Sequence, residues 1–381
     1  MTGSVGIIGA GVGGLAAGLA LAQTGWQVQV FEQAPKLAEV GAGIQIAPNG
    51  SRVLRHLGLD LSALGQPNPA VVLHTHQGRE ITCLVQTSTQ DAPNMHVHRA
   101  DLIAALAAAF ARAGGQLHLN SPATLADPAS ATLETKTQSV PFDLVIAADG
   151  LNSQTRHSVF AAPPPRFSGH VAWRALVAGV DHAQQTNLYM GPGRHLVSYP
   201  LRGGHLTNIV AVSERNHCTP EGWSHPDDPR NLQTAFADFG ATVTNLLAKV
   251  GSCHLWGLYD HPPMARFHAG QTALLGDACH AMVPFMAQGA CMALEDAAVL
   301  AQCLEKEPDT PAALAHYSTL RTQRTASVAA TARGNARIYH LRPAALRLPL
   351  HLGMAIAGKI APSLMTHRYT WITDFDATDL A

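Results

Sequence analysis

Hydrophobic and polar positions follow different patterns in different parts of this chain. Residues 5–8 are a short apolar run that predicts a buried strand, and an Ala- and Leu-rich segment after them predicts a helix. The two-residue alternation of strands dominates residues 168–262, in HVAWRALVAGV, NLYMG, HLVSYPL, HLTNIVAVS and CHLWGLY. Beyond Met286 the pattern is helical. An α/β unit interrupted by a mainly β unit and followed by helices is therefore expected.

These pattern changes also predict the domain boundaries. Residues 1–70, 96–167 and 263–340 are expected to form one discontinuous α/β domain of the Rossmann-like type. A β-rich domain for the substrate is expected from two inserted segments, residues 71–95 and 168–262, and a helical C-terminal segment from residues 341–381. The length of 381 residues suits such a division, since a single core rarely grows this large.

The first strand and helix carry a dinucleotide fingerprint. In VGIIGAGVGGLAAGLALAQTGWQVQVFE, glycines 9, 11 and 14 form GxGxxG between a strand and a helix, and Glu32 ends the next strand. Gly9 permits a sharp turn, Gly11 lets a pyrophosphate approach the backbone, and Gly14 lets the helix pack closely on the strand. Glu32 is suited to accept hydrogen bonds from ribose hydroxyls. The fingerprint predicts an ADP-containing dinucleotide and leaves FAD and NAD open.

Composition excludes several other classes. Hydrophobic residues make up 47% of the chain and charged residues 13%, which is typical of a well-buried globular protein. With a formal net charge of -1, neither nucleic acid nor an anionic membrane is an expected partner. The 21 histidines show no metal-ligand spacing, so no metal is predicted. Six cysteines without a CxxC motif fit reduced thiols, and no leader or spanning segment is expected, so a cytoplasmic location follows.

Four later segments indicate which of the two dinucleotides binds. They are GAGIQIAPNGSRVLRHLGL (41–59), HRADL (98–102), DLVIAADGLNSQTR (143–156) and GDACHAMVPFMAQGACMALED (276–296). Together with the fingerprint they resemble the class A flavoprotein monooxygenases, aromatic hydroxylases of the 4-hydroxybenzoate, salicylate, 3-hydroxybenzoate and 6-hydroxynicotinate type. One departure is local: the run Cys279, His280, Ala281 stands where the family commonly has a proline, and packing accounts for it.

The resemblance implies the fold of 4-hydroxybenzoate hydroxylase, FAD as cofactor, and NADH or NADPH as a transient co-substrate. It implies hydroxylation of a small aromatic substrate by dioxygen through a flavin C4a-hydroperoxide, in aromatic catabolism, by a monomer or homodimer. The expected cofactor residues are Gly9, Gly11, Gly13, Gly14, Glu32, Gln33, Gln45, Arg99, Leu119, Asp149, Gly150, Gly276, Asp277, Pro284, Gly289 and Ala290.

Three residues are the expected catalytic groups. His195 and Tyr199 are four apart on a predicted strand and therefore share a face, and the resemblance supports them as the base and the partner of a phenol. Gln288 is expected on the substrate side of the flavin ring. The Cys279–His280 step is assigned to packing rather than to chemistry.

Other functions on the same fold remain open at this point. A halogenase needs a WxWxIP pattern near Trp173 that is missing, while an epoxidase, another oxidoreductase or a non-catalytic FAD-binding protein would share the motifs. The sequence does not name the aromatic substrate or the position hydroxylated, and Arg174 and Arg202 are candidates for binding a carboxylate.

Overall fold

A computed structural model describes residues 3–37, 43–86, 88–216 and 225–380. The segments 38–42 and 217–224 lie outside the described residues, and with them the start of the 41–59 segment and Cys218.

The strands and helices are numbered in chain order. The strands are β1 Ser4–Ile8, β2 Gln27–Phe31, β3 Gly43–Ile46, β4 Gly65–Pro67, β5 Ala70–Thr75, β6 Glu80–Val85, β7 Met95–His98, β8 Gln116–His118, β9 Ala123–Asp127, β10 Thr132–Thr135, β11 Ser139–Pro141, β12 Leu144–Ala147, β13 Arg166–Ala178, β14 Thr186–Gly191, β15 Arg194–Leu201, β16 Leu206–Glu214, β17 His225–Asp227, β18 Cys253–Asp260, β19 His268–Ala269 and β20 Thr272–Leu274. The helices are α1 Val12–Gln23, α2 Pro48–His56, α3 Leu61–Leu64, α4 Arg99–Arg112, α5 Gln154–Phe160, α6 Pro229–Ala235, α7 Ala241–Leu247, α8 Asp277–His280, α9 Gly289–Lys306, α10 Thr310–Tyr339, α11 Ala344–Ile360, α12 Pro362–His367 and α13 Thr370–Thr373.

The first large sheet has the strand order β19-β20-β12-β1-β2-β8 and is parallel except at β19. Its central strands are apolar on both faces, because helices cover both sides of a parallel sheet. Helix α1 packs against α4 and α9, and its residues join one continuous core with β1, β2 and β12. The strands of this sheet come from chain segments far apart in sequence.

The second large sheet has the order β17-β18-β13-β16-β15-β14-β5-β6. One face buries Trp173 and Leu196 against Phe236 of the α6–α7 region. The opposite face packs Ala172 and Val212 against Phe285 and α10. Because side chains alternate along a strand, the central strands β13 and β16 contribute both to this core and to the second interface.

Two features differ from the expected division, one in the inserted region and one in the α/β domain. Residues 229–247 contain α6 and α7. Asp228 caps α6 by accepting the backbone N–H of Arg230, and Pro229 occupies its first turn, which is a common helix start. A three-stranded sheet of β9, β10 and β11 also forms beside the nucleotide unit, where no strand was expected.

The C-terminal segment is helical, as predicted from its pattern. Helix α11 contacts β6, while Leu348, Leu352, Ile356 and Ile360 along its outer face are exposed. Across the described part of the chain, no helix combines the length and the apolar character that crossing a bilayer requires.

Candidate active site

The carboxyl ends of the parallel strands bring most of the predicted cofactor residues to one edge of the first sheet. Such an edge is where open α/β sheets bind their ligands. Gly9, Gly11, Gly13 and Gly14 follow β1, Glu32 and Gln33 follow β2, Leu119 follows β8, Asp149 and Gly150 follow β12, and Gly276 and Asp277 follow β20. Five chain segments therefore meet at a single edge.

The first glycine turn has the geometry that the fingerprint requires. Gly9 has φ of 100°, a left-handed conformation that L side chains rarely adopt. A methyl group on Gly14 would lie 2.0 Å from the carbonyl oxygen of Gly9, so the helix approaches the strand too closely for any side chain there. A methyl group on Gly11 would meet no atom within 4 Å, which leaves open space for a ligand at the start of α1.

Glu32 is held in place by backbone amides. One carboxylate oxygen accepts the N–H of Ala10 at 2.8 Å, and the other accepts the N–H of Ala34 at 2.8 Å. Each oxygen has a second lone pair, so the fixed carboxylate retains the capacity to accept a ribose hydroxyl. The predicted role of Glu32 is compatible with this geometry and stays a prediction.

Asp149 supplies the clearest test of whether this edge fits a dinucleotide. Its Oδ1 atom is buried and has no hydrogen-bond partner, while Oδ2 accepts a long bond of 3.5 Å from the backbone of Thr155. Burial raises the pKa of the Asp149 carboxyl above its usual value. A buried acceptor without a partner is costly in a native protein, so a ligand hydroxyl at this position would satisfy it. The residues present therefore fit FAD.

The second glycine turn is anchored by buried charges. The Gly276 N–H donates to the Asp296 carboxylate at 2.9 Å, and His280 Nε2 lies 2.6 Å from the same oxygen. Arg321, with no exposed surface, bonds Asp296 at 2.7 Å and Glu295 at 2.6 Å. The turn is thus tied to α9 and α10 by paired charges.

This network adds a buried ion pair to the Cys279–His280 step, which was predicted to serve packing rather than chemistry. Burial alone would lower the pKa of His280, but the adjacent Asp296 outweighs burial and raises it well above its usual value. The pKa of Asp296 falls to about 2 because His280 and Arg321 outweigh its own burial. Glu295, Asp296 and Arg321 were missed because their partners are distant in sequence. An acidic pair inside an apolar helix was the available signal.

Gln288 precedes α9 directly as its N-cap, and its predicted place on the substrate side of the flavin ring stays a prediction. Its side chain is 4% exposed, and its amide oxygen accepts a hydrogen bond from Asn49 of α2 at 3.0 Å. Asn49 also donates to Glu295 at 2.7 Å, so Gln288 extends the buried network rather than presenting this oxygen to a substrate. Gly289 begins α9, and a methyl group added there would meet no atom within 4 Å. Ala290 follows it in the first turn, and Pro284 is exposed before it.

Gln45 and Arg99 lie beside a different, three-stranded sheet of β3, β7 and β4. Gln45 is half-buried on β3, and its side-chain oxygen accepts a long hydrogen bond of 3.4 Å from Thr186. Arg99 is the first residue of α4 and is half-buried. Strand β7 contacts β15 of the second sheet, so this small sheet joins the two units.

Strand β15 presents both predicted catalytic side chains on the face turned away from α6. His195 is 2% exposed, and its ring contacts the rings of Phe285 and Tyr339 with centroids 5.3 and 5.4 Å apart. Phe285 belongs to the second glycine turn, so His195 borders that turn directly. Tyr199 is also 2% exposed and stacks on His96 of β7 at 4.5 Å. The two side chains occupy neighbouring parts of the interface between the units.

The environment changes the acid–base properties of both groups. Burial lowers the pKa of His195 well below its usual value, and the nearby His340 and His170 lower it further. The imidazole is therefore neutral at pH 7, as a base must be, but its protonated form is unfavourable. Burial raises the pKa of Tyr199, so its hydroxyl stays protonated. An ordinary histidine pKa, which the sequence alone suggests, does not apply here.

The two arginines considered for carboxylate binding have different positions. Arg174 lies in the middle of β13, on the opposite side of that strand from buried Trp173, and its guanidinium is 5.5 Å from the ring of Trp256. Its charge opposes the raised pKa of Tyr199, which places it near that residue. Arg202 instead forms a surface ion pair with Asp101 at 2.7 Å. Of these two arginines, only Arg174 lies near a predicted catalytic residue, Tyr199.

Two groups of donor atoms within the described ranges approach the spacing of a metal site. They are His170, Glu214 and His340, and Cys279, His280 and Asp296. In each group a carboxylate is already bonded to an arginine: Arg342 holds Glu214 at 2.8 Å and Arg321 holds Asp296 at 2.7 Å. These cations satisfy the charge that a metal would otherwise balance, and we assign no metal to either group.

Comparison with known proteins identifies the family. A family described as an FAD binding domain matches residues 2–332. The chain is 35% identical to 3-amino-4-hydroxybenzoate 2-monooxygenase of Streptomyces cremeus, over 88% of each chain. It is 32% identical to 3-hydroxybenzoate 6-hydroxylase of Polaromonas naphthalenivorans, over 88% of this chain and 87% of that one.

Solved structures give the same result. A salicylate hydroxylase substrate complex superposes with a TM-score of 0.81 at 26% identity, over 99% of this chain and 96% of that chain. HpxO of Klebsiella pneumoniae, solved with FAD and uric acid, has a TM-score of 0.81 at 25% identity and covers 96% of both chains. The predicted fold class is confirmed by these likenesses. The chain belongs to the FAD-binding family of class A flavoprotein monooxygenases, and it is an FAD-dependent enzyme.

Proposed function

We propose that this enzyme uses FAD, NADH or NADPH and dioxygen to hydroxylate a small phenolic or hydroxylated heteroaromatic acid. The observation that carries the proposal is the position of His195 and Tyr199. Both lie on the face of β15 that meets the second glycine turn, within reach of the same interface. The names of the relatives, which act on hydroxybenzoates, support this substrate class.

The edge of the first sheet would hold the cofactor. Gly11 leaves room for the pyrophosphate at α1, Glu32 would bind the ribose, and the unpartnered oxygen of Asp149 would accept a hydroxyl or N–H group of the cofactor. The start of α9 at Gly289 would favour negative charge on the reduced ring. Bound FAD supplies the transfer of electrons from the nicotinamide and the activation of dioxygen.

His195 is proposed as the base for the substrate phenol. Its Nδ1 is committed to His340, with an Nδ1 to Nε2 distance of 2.6 Å, so Nε2 is the nitrogen available to a substrate proton. Removing this proton makes the ring electron-rich and ready for oxygen transfer. Tyr199, which remains protonated, would donate a hydrogen bond to the phenolate oxygen.

Arg174 is proposed as the group that binds the carboxylate of an aromatic acid. Its planar guanidinium suits a carboxylate, and its positive charge acts on Tyr199, which lies on the same face of the sheet.

We also propose that the enzyme has two structural units and a C-terminal segment. The boundaries of the two units lie near residues 70, 95, 167 and 262, and the C-terminal segment begins at residue 341. A monomer or homodimer in the cytoplasm is expected, and the described cysteines 83, 253, 279, 291 and 303 are free thiols.

A panel of hydroxybenzoates and hydroxynicotinates tests the reaction. We expect at least one member to stimulate NADH or NADPH oxidation by the holoenzyme and to yield a product heavier by one oxygen in mass spectrometry. Oxidation without such a product, whatever the substrate, would contradict hydroxylation. Co-chromatography of the product with authentic isomers distinguishes ortho from para attack, and the product mass detects any loss of carbon dioxide.

The role of His195 is tested by His195→Phe. We expect FAD to remain bound, the hydroxylation rate to fall by roughly 10² to 10⁴, and peroxide release to rise, because general-base catalysis contributes about that factor. His56→Phe, at an exposed position on α2, is the matched control. Unchanged rate and coupling in His195→Phe would remove this residue from the mechanism.

A further inference from the structure

A chain of three side chains leads from the proposed base to the protein surface. His195 Nδ1 lies 2.6 Å from His340 Nε2, and His340 Nδ1 lies 3.4 Å from a carboxylate oxygen of Glu214. His195 and His340 are 2% and 3% exposed, whereas the side chain of Glu214 is 34% exposed. The three groups therefore connect a buried nitrogen to solvent in two steps.

The Glu214 carboxylate is an acceptor 3.4 Å from Nδ1 of His340, although the two atoms are not aligned as a hydrogen bond and this nitrogen has no other partner. An ionised carboxylate only accepts hydrogen bonds, so it favours a proton on Nδ1 of His340. Neutral His340 then has a lone pair on Nε2 and must accept from Nδ1–H of His195. This leaves the lone pair of His195 on Nε2, the nitrogen that the proposed reaction needs. The tautomer of the base thus follows from a residue that it does not touch.

The surroundings of His195 disfavour its protonated form. Its neighbours include His170, whose ring centroid is 5.1 Å from that of His340, and Tyr339. Burial, with smaller contributions from His170 and Arg342, lowers the pKa of His340 to about 3. A proton accepted from a phenol is therefore more stable if it moves on than if it charges either ring.

The middle and outer groups are fixed by the backbone and by an arginine. The N–H of Gly193 donates to the carbonyl of His340 at 3.0 Å, and the N–H of His340 donates to Ala336 at 3.0 Å. Arg342 donates to the second oxygen of Glu214 from Nε at 2.8 Å, which leaves the first oxygen turned toward His340. The backbone thus fixes His340 and Arg342 orients Glu214, so a small shift of the partly exposed Glu214 side chain would complete the hydrogen bond to Nδ1 of His340.

We propose that His340 and Glu214 are positioning residues that fix the tautomer of His195 and carry the substrate proton between the pocket and solvent. The inference rests on the proposed function of His195. The phenol O–H bond breaks as Nε2 of His195 gains the proton. Nδ1–H of His195 passes its proton to Nε2 of His340, Nδ1–H of His340 passes its proton to Glu214, and Glu214 releases it to water. No electrons are transferred, and both rings stay neutral in their alternate tautomers.

The same groups restore the starting state. When the hydroxylated product regains its phenolic proton from Nε2 of His195, each proton shifts back by one position and Glu214 takes one from water. The proton released at the start is thus taken up again at the end.

Proton release can be measured without turnover. Oxidised holoenzyme is mixed in weak buffer containing an indicator dye with the hydroxybenzoate that gave oxygenated product in the panel. We expect wild-type enzyme to release up to one proton per bound phenol in a fast phase. Glu214→Gln should slow that phase at least tenfold, and acetate should restore part of the rate, because an added carboxylate can accept the proton. His340→Gln should abolish the fast phase, and Glu214→Asp should retain most of it.

The surface pair of His316 and Glu307, whose side chains are 2.7 Å apart, provides matched controls. The variants His316→Gln and Glu307→Gln should release protons at the wild-type rate. Flavin content is measured for every variant. If His340→Gln does not retain FAD, the test uses the Glu214 variants instead, because Glu214 is partly exposed and its replacement should disturb the fold less. Wild-type rates in Glu214→Gln and His340→Gln would overturn the relay while leaving hydroxylation intact. Failure of the proposed function is a separate result, namely no oxygenated product from wild-type enzyme.

Discussion

Two buried histidines, His280 and His195, are matched in burial and differ in charge, since His280 is protonated and His195 is neutral. His280 is 6% exposed and His195 is 2% exposed. Asp296 at 2.6 Å raises the pKa of His280, whereas burial among other imidazoles lowers that of His195. Burial alone therefore does not determine the charge of a histidine, because the partner within hydrogen-bond distance decides which form is stable.

The difference suits what each region does. The second glycine turn must hold its shape beside a cofactor, and paired charges with defined partners fix its backbone at Gly276. The pocket face of β15 must hold a neutral nitrogen that can gain and lose a proton, so a carboxylate in direct contact with His195 would be unfavourable. Glu214 instead acts on His195 through the ring of His340, which lies between them.

The largest expected effect comes from unpairing the charged region. Arg321→Met leaves Glu295 and Asp296 buried with fewer counter-charges, and removal of one partner from a buried ion pair typically costs about 3 to 5 kcal/mol. Urea unfolding of the holoenzyme at pH 7 measures this loss. Arg230→Met, which breaks an exposed pair with Asp228, should change little. Equal stability of the two variants would show that the buried network is not an anchor.

A pH titration of stability separates the two histidine types. His340 has a folded pKa of about 3 and an unfolded value near 6.5, so the folded state binds fewer protons and loses stability as pH falls below 6.5. Between pH 6.5 and 5 this amounts to roughly 2 kcal/mol. His340→Gln should remove that part of the loss.

His280 has the opposite sign. Its folded pKa is raised, so its stabilisation is fully present below pH 6.5 and is lost as pH rises through the folded value. His280→Gln should therefore lower stability about equally at pH 6.5 and pH 5. Parallel curves for both variants would mean that the two histidines do not differ as described.

A smaller effect is expected at Arg174, which brings a positive charge to the pocket face. Arg174→Gln should raise the KM for an aromatic acid about tenfold and change kcat little, because a carboxylate contact is made equally in the ground and transition states. Arg202→Gln, at the surface pair with Asp101, is the control. A substrate analogue without the carboxylate should show no such difference, and a lower kcat with unchanged KM would contradict the assignment.

The smallest effect is expected at Cys279. Burial raises the pKa of its thiol, which is 1% exposed and donates to the carbonyl of Gly276 at 3.3 Å. Cys279→Ala should cost about 1 kcal/mol of stability and leave flavin content unchanged. Rapid modification of this thiol by iodoacetamide in the folded enzyme would instead indicate a reactive group.

Local pattern was enough for the elements whose residues act within a short stretch. The apolar run before Gly9, the spacing to Gly14 and the period-two strand carrying His195 and Tyr199 predicted β1, α1 and β15. Helices α6 and α7 were missed because they are short and lie among strands, so their caps at Asp228 and Gly240 were weaker signals than the surrounding alternation.

By itself, the sequence determined the parallel unit, the family resemblance and the choice of FAD, because glycine turns and strand–helix patterns are read from neighbouring residues. Only the tertiary structure decided the partners of buried polar groups. Asp296 lies 16 residues from His280, and His340 lies 145 residues from His195. Their pKa directions depend on these contacts and on loss of solvent, and neither is encoded in the spacing of residues along the chain.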